Sequence, residues 1–387
     1  MISKYSKLAL HLTLIDGVGP VCIEKIFNHC GILNCDDTGA CLVEDIYRFS
    51  AHDFVHRAWI SLEKAQLCVK GLQNQRLLEE ELELIHNSPG VSIVTVFDDD
   101  YPELLAQINR PPTVLWVQGK NIGLPAQRLA VVGARRATDY AQDAIYRILP
   151  EVVSSGWNIV SGGALGVDSL AHECALDFGG TTTVILGSGI LNLYPVGNKR
   201  LFNRVVEQGG SLVSPFSLRF APIKGNFPAR NRIIAGLSEG CVVVQAGRKS
   251  GALITASYAL EEGREVWAVP GNIDCEMSEG PHKLLRNGAC IAAHPDDILS
   301  VLRGECPRPG QKNIRECSGK VVQKQEIQVN ALDTLEAKIL TQLKCAQSLD
   351  DLVLGTEQKP DDLMEKLFEM QLLGKVQQNY VGMWERA

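Results

Sequence analysis

Leu129-Ala130-Val131-Val132-Gly133-Ala134-Arg135-Arg136 is the stretch whose reading decides the fold. Four consecutive apolar residues end in a glycine and two arginines. The run is too short for a buried helix and has no polar alternation, so it reads as a strand covered on both faces. Similar apolar runs recur at 158–161, 182–186, 211–213, 241–245 and 265–269, separated by helix-length segments. Apolar strands alternating with helices predict an α/β fold: a mostly parallel sheet with flanking helices. The runs end in glycine or serine at Gly133, Ser161-Gly162-Gly163, Gly187-Ser188-Gly189 and Pro270-Gly271. In an open doubly wound sheet such carboxyl ends converge on one crevice, where ligands bind.

Working outward, a short extended segment at 91–97 precedes Asp98-Asp99-Asp100-Tyr101-Pro102, and Pro111-Pro112 breaks the chain before a further strand at 114–118. The Asp triplet reads as the N-cap of a helix rather than as a metal site. Residues 1–85 read as a helical domain. Two amphipathic stretches at 4–14 and 21–30 flank Asp16-Gly17-Val18-Gly19-Pro20, a tight turn ending in a helix-starting proline. Such a unit either packs against protein or holds a nucleic-acid backbone through exposed amides, and its weakly basic surroundings favour protein contact. The sheet-bearing domain spans 86–302. Residues 303–327 read as a linker, where Pro307, Pro309 and Gly310 mix with Lys312, Arg315, Lys320 and Lys324 and apolar periodicity is lost. Residues 328–387 offer helix-like segments at 332–343, 349–354 and 361–371 and a hairpin at 374–384, which together predict a winged helix. Ten acidic against six basic residues over 333–387, with Asp361, Asp362, Glu365 and Glu369 on the candidate recognition helix, argue for protein contact over duplex binding.

The chain of 387 residues has room for two or three domains and carries a net charge of −7. No apolar run reaches the length of a membrane-spanning helix, so no membrane association is expected. The apolar run at 8–15 is short, is interrupted by His11 and lacks a cleavage site, so no signal peptide is expected. Twelve scattered cysteines contain no Cys-x-x-Cys pair. That distribution predicts a reducing, cytoplasmic setting and neither a disulfide scaffold nor a zinc site.

Against the acidic background, the window 208–238 has no carboxylate and holds Arg219, Lys224, Arg230 and Arg232. Cations without nearby acids suit a phosphate-bearing partner, and the neighbouring Phe227 offers base stacking that tolerates any sequence. The same window is also readable as a solvated basic loop before a buried helix. Gly133-Ala134-Arg135 places backbone amides and a guanidinium where a helix begins, an anion site. Ser161-Gly162-Gly163 either brings backbone close to a phosphate or makes a tight turn. Within the following segment, Asp168 and His172 are i,i+4 neighbours expected to hydrogen-bond and steady the loop rather than to form a catalytic pair. Ser250-Gly251 and Thr255 either donate to a phosphate or cap and pack a helix. These motifs follow successive strands of one sheet. Together they describe a positive, glycine-lined pocket with no evident nucleophile–base pair and no metal or cofactor requirement.

In order and spacing these residues resemble the DNA-processing protein A family. The landmarks are Asp100-Tyr101-Pro102, Pro111-Pro112-x-Val114-Leu115, Val131-Val132-Gly133-x-Arg135, Gly166-Val167-Asp168-x-x-Ala171-His172 and Tyr194-Pro195. Phe227-Pro228-x-Arg230-Asn231-Arg232-Ile233-Ile234-Ala235-Gly236-Leu237-Ser238, Ser250-Gly251-x-Leu253-Ile254-Thr255-Ala256 and Val269-Pro270-Gly271 complete them. The resemblance implies an extended Rossmann-like core, an N-terminal helical domain similar to a sterile-alpha-motif domain, and often a C-terminal winged helix. It implies a non-enzymatic protein that binds single-stranded DNA without strong sequence preference and loads the RecA recombinase onto it in natural transformation, often as a homodimer. It assigns the DNA backbone to a basic pocket containing Arg135 and Lys224, with Phe227 as the base-contacting wedge. Three positions depart from the family pattern. Ala134 stands where Ser is usual, Pro215 where Glu follows Ser, and Gln245 where Glu lies between Val and Ala.

The main alternative is a nucleotide-binding enzyme of the lysine-decarboxylase-like phosphoribohydrolase type. That family pairs a Pro-Gly-Gly-x-Gly-Thr-x-x-Glu loop with a catalytic Glu. Here the corresponding loop runs Lys249-Ser250-Gly251-Ala252-Leu253-Ile254-Thr255-Ala256 and has no such Glu. A phosphate-sensing promoter-binding regulator is disfavoured by the acidic recognition-helix candidate, and a nuclease by the lack of a carboxylate cluster.

Overall fold

Nine strands form one sheet in the order β1-β2-β6-β5-β4-β3-β7-β8-β9. They are β1 (Val91–Thr95), β2 (Val114–Gly119), β3 (Arg128–Val132), β4 (Asn158–Ser161), β5 (Thr182–Ile185), β6 (Ser211–Ser214), β7 (Gly240–Val243), β8 (Glu265–Ala268) and β9 (Cys290–Ile291). All neighbours pair in parallel except β2, which is antiparallel to both β1 and β6. The strands expected from the apolar runs are all present, with ends displaced by a residue or two. The computed structural model describes residues 2–32, 42–120, 122 and 127–304, together with short stretches between 339 and 386.

The central strands β3 to β7 are buried along their whole length, which is why they carry no polar alternation. Successive residues still serve opposite faces. On one face Leu129, Val131 and Val242 pack with helices α8 (Asp139–Ser154) and α9 (Val167–Asp177). On the other, Ala130, Val132 and Val243 pack with α11 (Asn226–Gly236) and α12 (Gly251–Glu261). This division follows from the topology. From β3 the chain steps through β4 and β5 to β6, then returns across β3 to β7 and β8. Right-handed crossovers in opposite directions place their helices on opposite faces. The direction changes between β3 and β7, so the carboxyl ends of those two strands diverge and leave a crevice.

Among the described residues six helices precede the sheet: α1 (Lys4–Thr13), α2 (Pro20–His29), α3 (Val43–Ile46), α4 (Ala51–Ala58), α5 (Leu62–Gln73) and α6 (Gln75–His86). Their core is continuous with one end of the sheet. Leu8, Ile26, Phe27 and Phe54 share a buried cluster with Trp116, Val184, Leu212 and with Phe202 of α10 (Lys199–Glu207). Two polar contacts reinforce that junction. Ser6 Oγ donates to Asp98 Oδ1 at 2.6 Å. The buried Glu81 carboxylate accepts from the Leu218 amide at 2.8 Å, and burial raises its pKa. Asp98 also accepts from the amide and hydroxyl of Thr95, both at 2.7 Å. It therefore closes the turn after β1 instead of capping the short helix α7 (Glu103–Ala106), whose N-cap is Pro102.

Residues Met1–Pro309 form one unit and Gly310–Ala387 a second. Helices α13 (Glu279–Arg286) and α14 (Pro295–Leu302) complete the first. In the second, α15 (Leu349–Thr356), α16 (Pro360–Leu372) and the antiparallel pair β10 (Val376–Gln378) and β11 (Trp384–Arg386) are described. Leu352, Leu363, Leu367, Met370 and Trp384 form its core. The expected linker from 305 onwards and most of the expected helix at 332–343 lie outside the described residues.

Candidate nucleic-acid interface

A pocket of about 450 Å³ opens at the carboxyl ends of β3 and β7, at the point where the sheet topology reverses. Val132 and Gly133 from the end of β3 form one wall. The start of α11 supplies Phe227, Pro228, Arg230 and Asn231, with Lys224 from the preceding loop. The start of α12 supplies Ser250, Gly251, Ile254 and Thr255. The N-terminal ends of two helices thus border one cavity, and the positive end of a helix dipole favours anionic groups.

Arg135 and Lys224 are exposed at the mouth, whereas Arg230 is only 4% exposed and forms the floor. Its guanidinium donates to the carbonyls of Gly162, just after β4, and Ile185, the last residue of β5. Burial lowers its pKa to about 10, partly offset by Asp168, so it stays charged at neutral pH. Asp168 is itself buried, and desolvation raises its pKa against the pull of Arg230. Phe227 stands between the cations. The Arg135 and Arg230 guanidinium carbons lie 5.6 and 5.8 Å from its ring centroid, within cation–π range. The Tyr194 ring is 5.8 Å away at 58°.

The pocket gathers Gly133, Arg135, Lys224, Phe227, Arg230, Asn231, Ser250, Gly251 and Thr255. Gly162 lines a narrower adjoining cleft. Ser161, Gly163 and Arg232 line neither. Ser161 is fully buried and donates to the Val131 carbonyl at 2.6 Å, tying β4 to β3. Gly163 adopts a φ of +64° and packs on Phe202 and Val184. Arg232 faces away and donates to the carbonyls of Asn109 and Arg110, pinning the loop before β2. Ser250 accepts from the Ala252 amide at 3.3 Å as the N-cap of α12.

His172 does not turn to Asp168. Thr182 Oγ1 donates to the Ile159 carbonyl at 2.6 Å and accepts from His172 Nδ1, also at 2.6 Å. Burial, aided by the charge of Arg230, depresses the imidazole pKa to about 3. Asp168 instead accepts from the Ala164 amide at 3.3 Å and closes its own loop. The i,i+4 spacing permitted a pair, but the neighbouring strand β5 supplied a better-placed hydroxyl.

Sequence reasoning missed Ala164, Ile254 and the loop that brings Tyr194 to the pocket. Asn198 Nδ2 holds that loop, donating to the Gly163 carbonyl at 2.9 Å and to Ser169 Oγ at 2.8 Å. Tyr194-Pro195 was visible as a motif, but nothing in the spacing tied it to a turn some thirty residues earlier. The departure at Gln245 is locally satisfied. Its amide donates to Thr138 Oγ1 at 2.9 Å and accepts from the Thr138 amide at 3.1 Å. The loop after β3 therefore stays anchored without a carboxylate.

Residues 92–303 match the family described as DNA recombination-mediator protein A. The protein Smf of Escherichia coli strain K12 is 39% identical over 60% of this chain, and the match spans 63% of that relative's length. Among solved structures, the DNA processing protein A of Streptococcus pneumoniae aligns with a TM-score of 0.65 at 29% identity, covering 77% of this chain and 98% of that one. The DNA processing protein A of Helicobacter pylori, a protein with a single-stranded DNA binding mode, aligns with a TM-score of 0.50 at 28% identity. It covers 56% of this chain and 96% of its own. With more than half its length matched and the same sheet beneath the match, the chain belongs to the DNA recombination-mediator protein A family.

Proposed function

We propose that this protein binds single-stranded DNA through the crevice between β3 and β7, without strong sequence preference. The observation that carries the reading is the meeting of Arg135, Lys224 and Phe227 at one 450 Å³ cavity flanked by two helix N-termini. Exposed cations at the mouth neutralise phosphates, and the aromatic ring offers a face to any base. A relative with a single-stranded DNA binding mode and 28% identity supports the same ligand. We further propose that the bound strand is handed to the RecA recombinase during DNA processing and natural transformation. In this reading a cytoplasmic homodimer does the work, a sterile-alpha-motif-like N-terminal domain flanks the core, and the second unit serves as a winged helix that contacts protein. Family membership is the support for these finer roles.

The deciding experiment is binding of labelled oligothymidine and the matching duplex across a salt series. Tighter single-strand binding with a steep salt slope is expected. Removing the charge at Arg135 or Lys224 weakens binding uniformly across sequences, and each lost phosphate contact flattens the slope by about 0.7. Unchanged affinity in both folded variants refutes the pocket assignment. Binding and cleavage of nucleoside monophosphates in place of DNA points to the phosphoribohydrolase chemistry instead.

A further inference from the structure

The turn Asp16–Pro20 and the helices around it hold a pair of thiols that DNA binding does not use. Lys64, Leu67, Cys68 and Gly71 of α5 recur at i, i+3, i+4 and i+7, so they share one stripe of that helix. Three of them meet the chain at this turn. Lys64 Nζ donates to the Gly17 carbonyl at 2.7 Å. Leu67 lies 3.2 Å from the position a Cβ would take at Gly17, and Gly71 leaves its side-chain space to Ile15. The fourth, Cys68, is fully buried and reaches the first turn of α2, where its thiol hydrogen-bonds to that of Cys22. Both residues are free thiols in the core of the helical domain, and Cys22 is only half-buried, with a face open to solvent.

The two thiols differ in reactivity. The hydrogen bond from Cys68, with the charges of Lys64 and Lys25, holds the Cys22 thiol below the usual cysteine range against the effect of burial. The same hydrogen bond and burial push the Cys68 thiol far up. A thiolate is the nucleophile, so Cys22 reacts first and Cys68 follows.

We propose that Cys22 and Cys68 are a peroxide-sensitive pair that closes into a reversible disulfide, with Cys22 as the attacking thiol and Cys68 as the resolving one. The Cys22 thiolate attacks one oxygen of hydrogen peroxide, an S–O bond forms, the O–O bond breaks, and the departing hydroxide takes up the thiol's proton as water. The Cys68 sulfur then attacks the Cys22 sulfenic sulfur. The S–S bond forms, the S–O bond breaks, and the Cys68 proton leaves with the hydroxyl as a second water. Two electrons pass from the two sulfurs to the peroxide oxygens, and a dithiol reductant returns them. Helix α4 packs against both α2 and α5, so the bond fastens three helices together. In a reducing compartment such a bond is transient and forms on oxidation.

The test treats the full chain with hydrogen peroxide, quenches it in acid, alkylates the remaining thiols and maps the peptides by mass spectrometry. A Cys22–Cys68 linked peptide is expected, and it disappears with dithiothreitol. In Cys68→Ser the reaction halts at the Cys22 sulfenic acid, which a cyclic 1,3-diketone traps. Lys64→Gln slows loss of the Cys22 thiol several-fold at neutral pH. That deficit closes near pH 10, where the thiol is ionised in either protein, as a merely structural role for Lys64 would not require. A Cys22 that stays a thiol, pairs with a different cysteine or passes to the sulfinic acid without pairing overturns the proposal. Equal trapping of sulfenic acid in the unmodified protein and in Cys68→Ser removes the resolving role of Cys68 and overturns it too.

Discussion

Two loops at the crevice look alike in sequence and differ in what they leave open. After β4, Ser161-Gly162-Gly163-Ala164-Leu165-Gly166 turns into α9; after β7, Gly247-Arg248-Lys249-Ser250-Gly251 turns into α12. In the first loop the space beside Gly162 is filled by the Arg230 guanidinium. Gly166, at a φ of +83°, has the Ala134 carbonyl where a side chain would stand. In the second, nothing lies within 4 Å of the position a Cβ would take at Gly251. One loop spends its glycines on the protein's own packing, and the other leaves its glycine facing an empty cavity. A glycine-rich turn is thus a promise of close approach, and what approaches is decided by distant parts of the chain.

The closed loop should break first. Arg230→Ala leaves the carbonyls of Gly162 and Ile185 without their donor and strands Asp168 in a buried site without its compensating charge. Truncating one member of a buried charged network costs about 3–5 kcal/mol. Urea denaturation of the variant measures it. A loss under about 1 kcal/mol means that Arg230 belongs to the ligand and not to the floor of the pocket.

His172 gives the same region a pH signature. Its pKa falls from 6.5 unfolded to about 3 folded, so the unfolded chain binds the extra proton between those values. Stability therefore declines as pH drops from about 6.5 towards 3, at up to about 1.4 kcal/mol per pH unit from this group. Asp168 and Glu81, whose pKa values are raised by burial, act in the opposite sense. They are present in both proteins when wild type is compared with His172→Gln, so their contribution cancels. The variant's stability should fall less steeply over that window. Parallel pH profiles would mean that the imidazole is protonated in the fold.

The sheet was legible because its central strands are buried on both faces, and that burial shows as short runs rich in Val, Ile and Ala without polar alternation. The loops were legible only as candidates. Arg230, Asn231 and Arg232 are consecutive, yet the turn of α11 sends Arg230 into the floor, Asn231 to the pocket wall and Arg232 to the loop before β2. Charge counting treats the two arginines as equal, because the angle between neighbours on a helix does not appear in composition. Tyr194 was hidden for a related reason. Its place at the pocket depends on Asn198 reaching the turn after β4, a contact set by the order of strands and not by any local pattern.

The smallest structural effect carries the sharpest information about the open loop. Gly251 begins α12 and has no neighbour where a methyl group would sit, so Gly251→Ala should change stability by no more than about 0.5 kcal/mol. The methyl group projects into the space that a phosphate needs to reach the amides at the start of the helix. Affinity for oligothymidine should therefore fall several-fold while the melting curve stays in place. If affinity is also unchanged, the strand does not approach α12, and the phosphate lies towards Arg135 and Lys224 on the opposite wall. If stability falls with affinity, the loop is packed as tightly as its counterpart after β4, and the contrast between the two disappears.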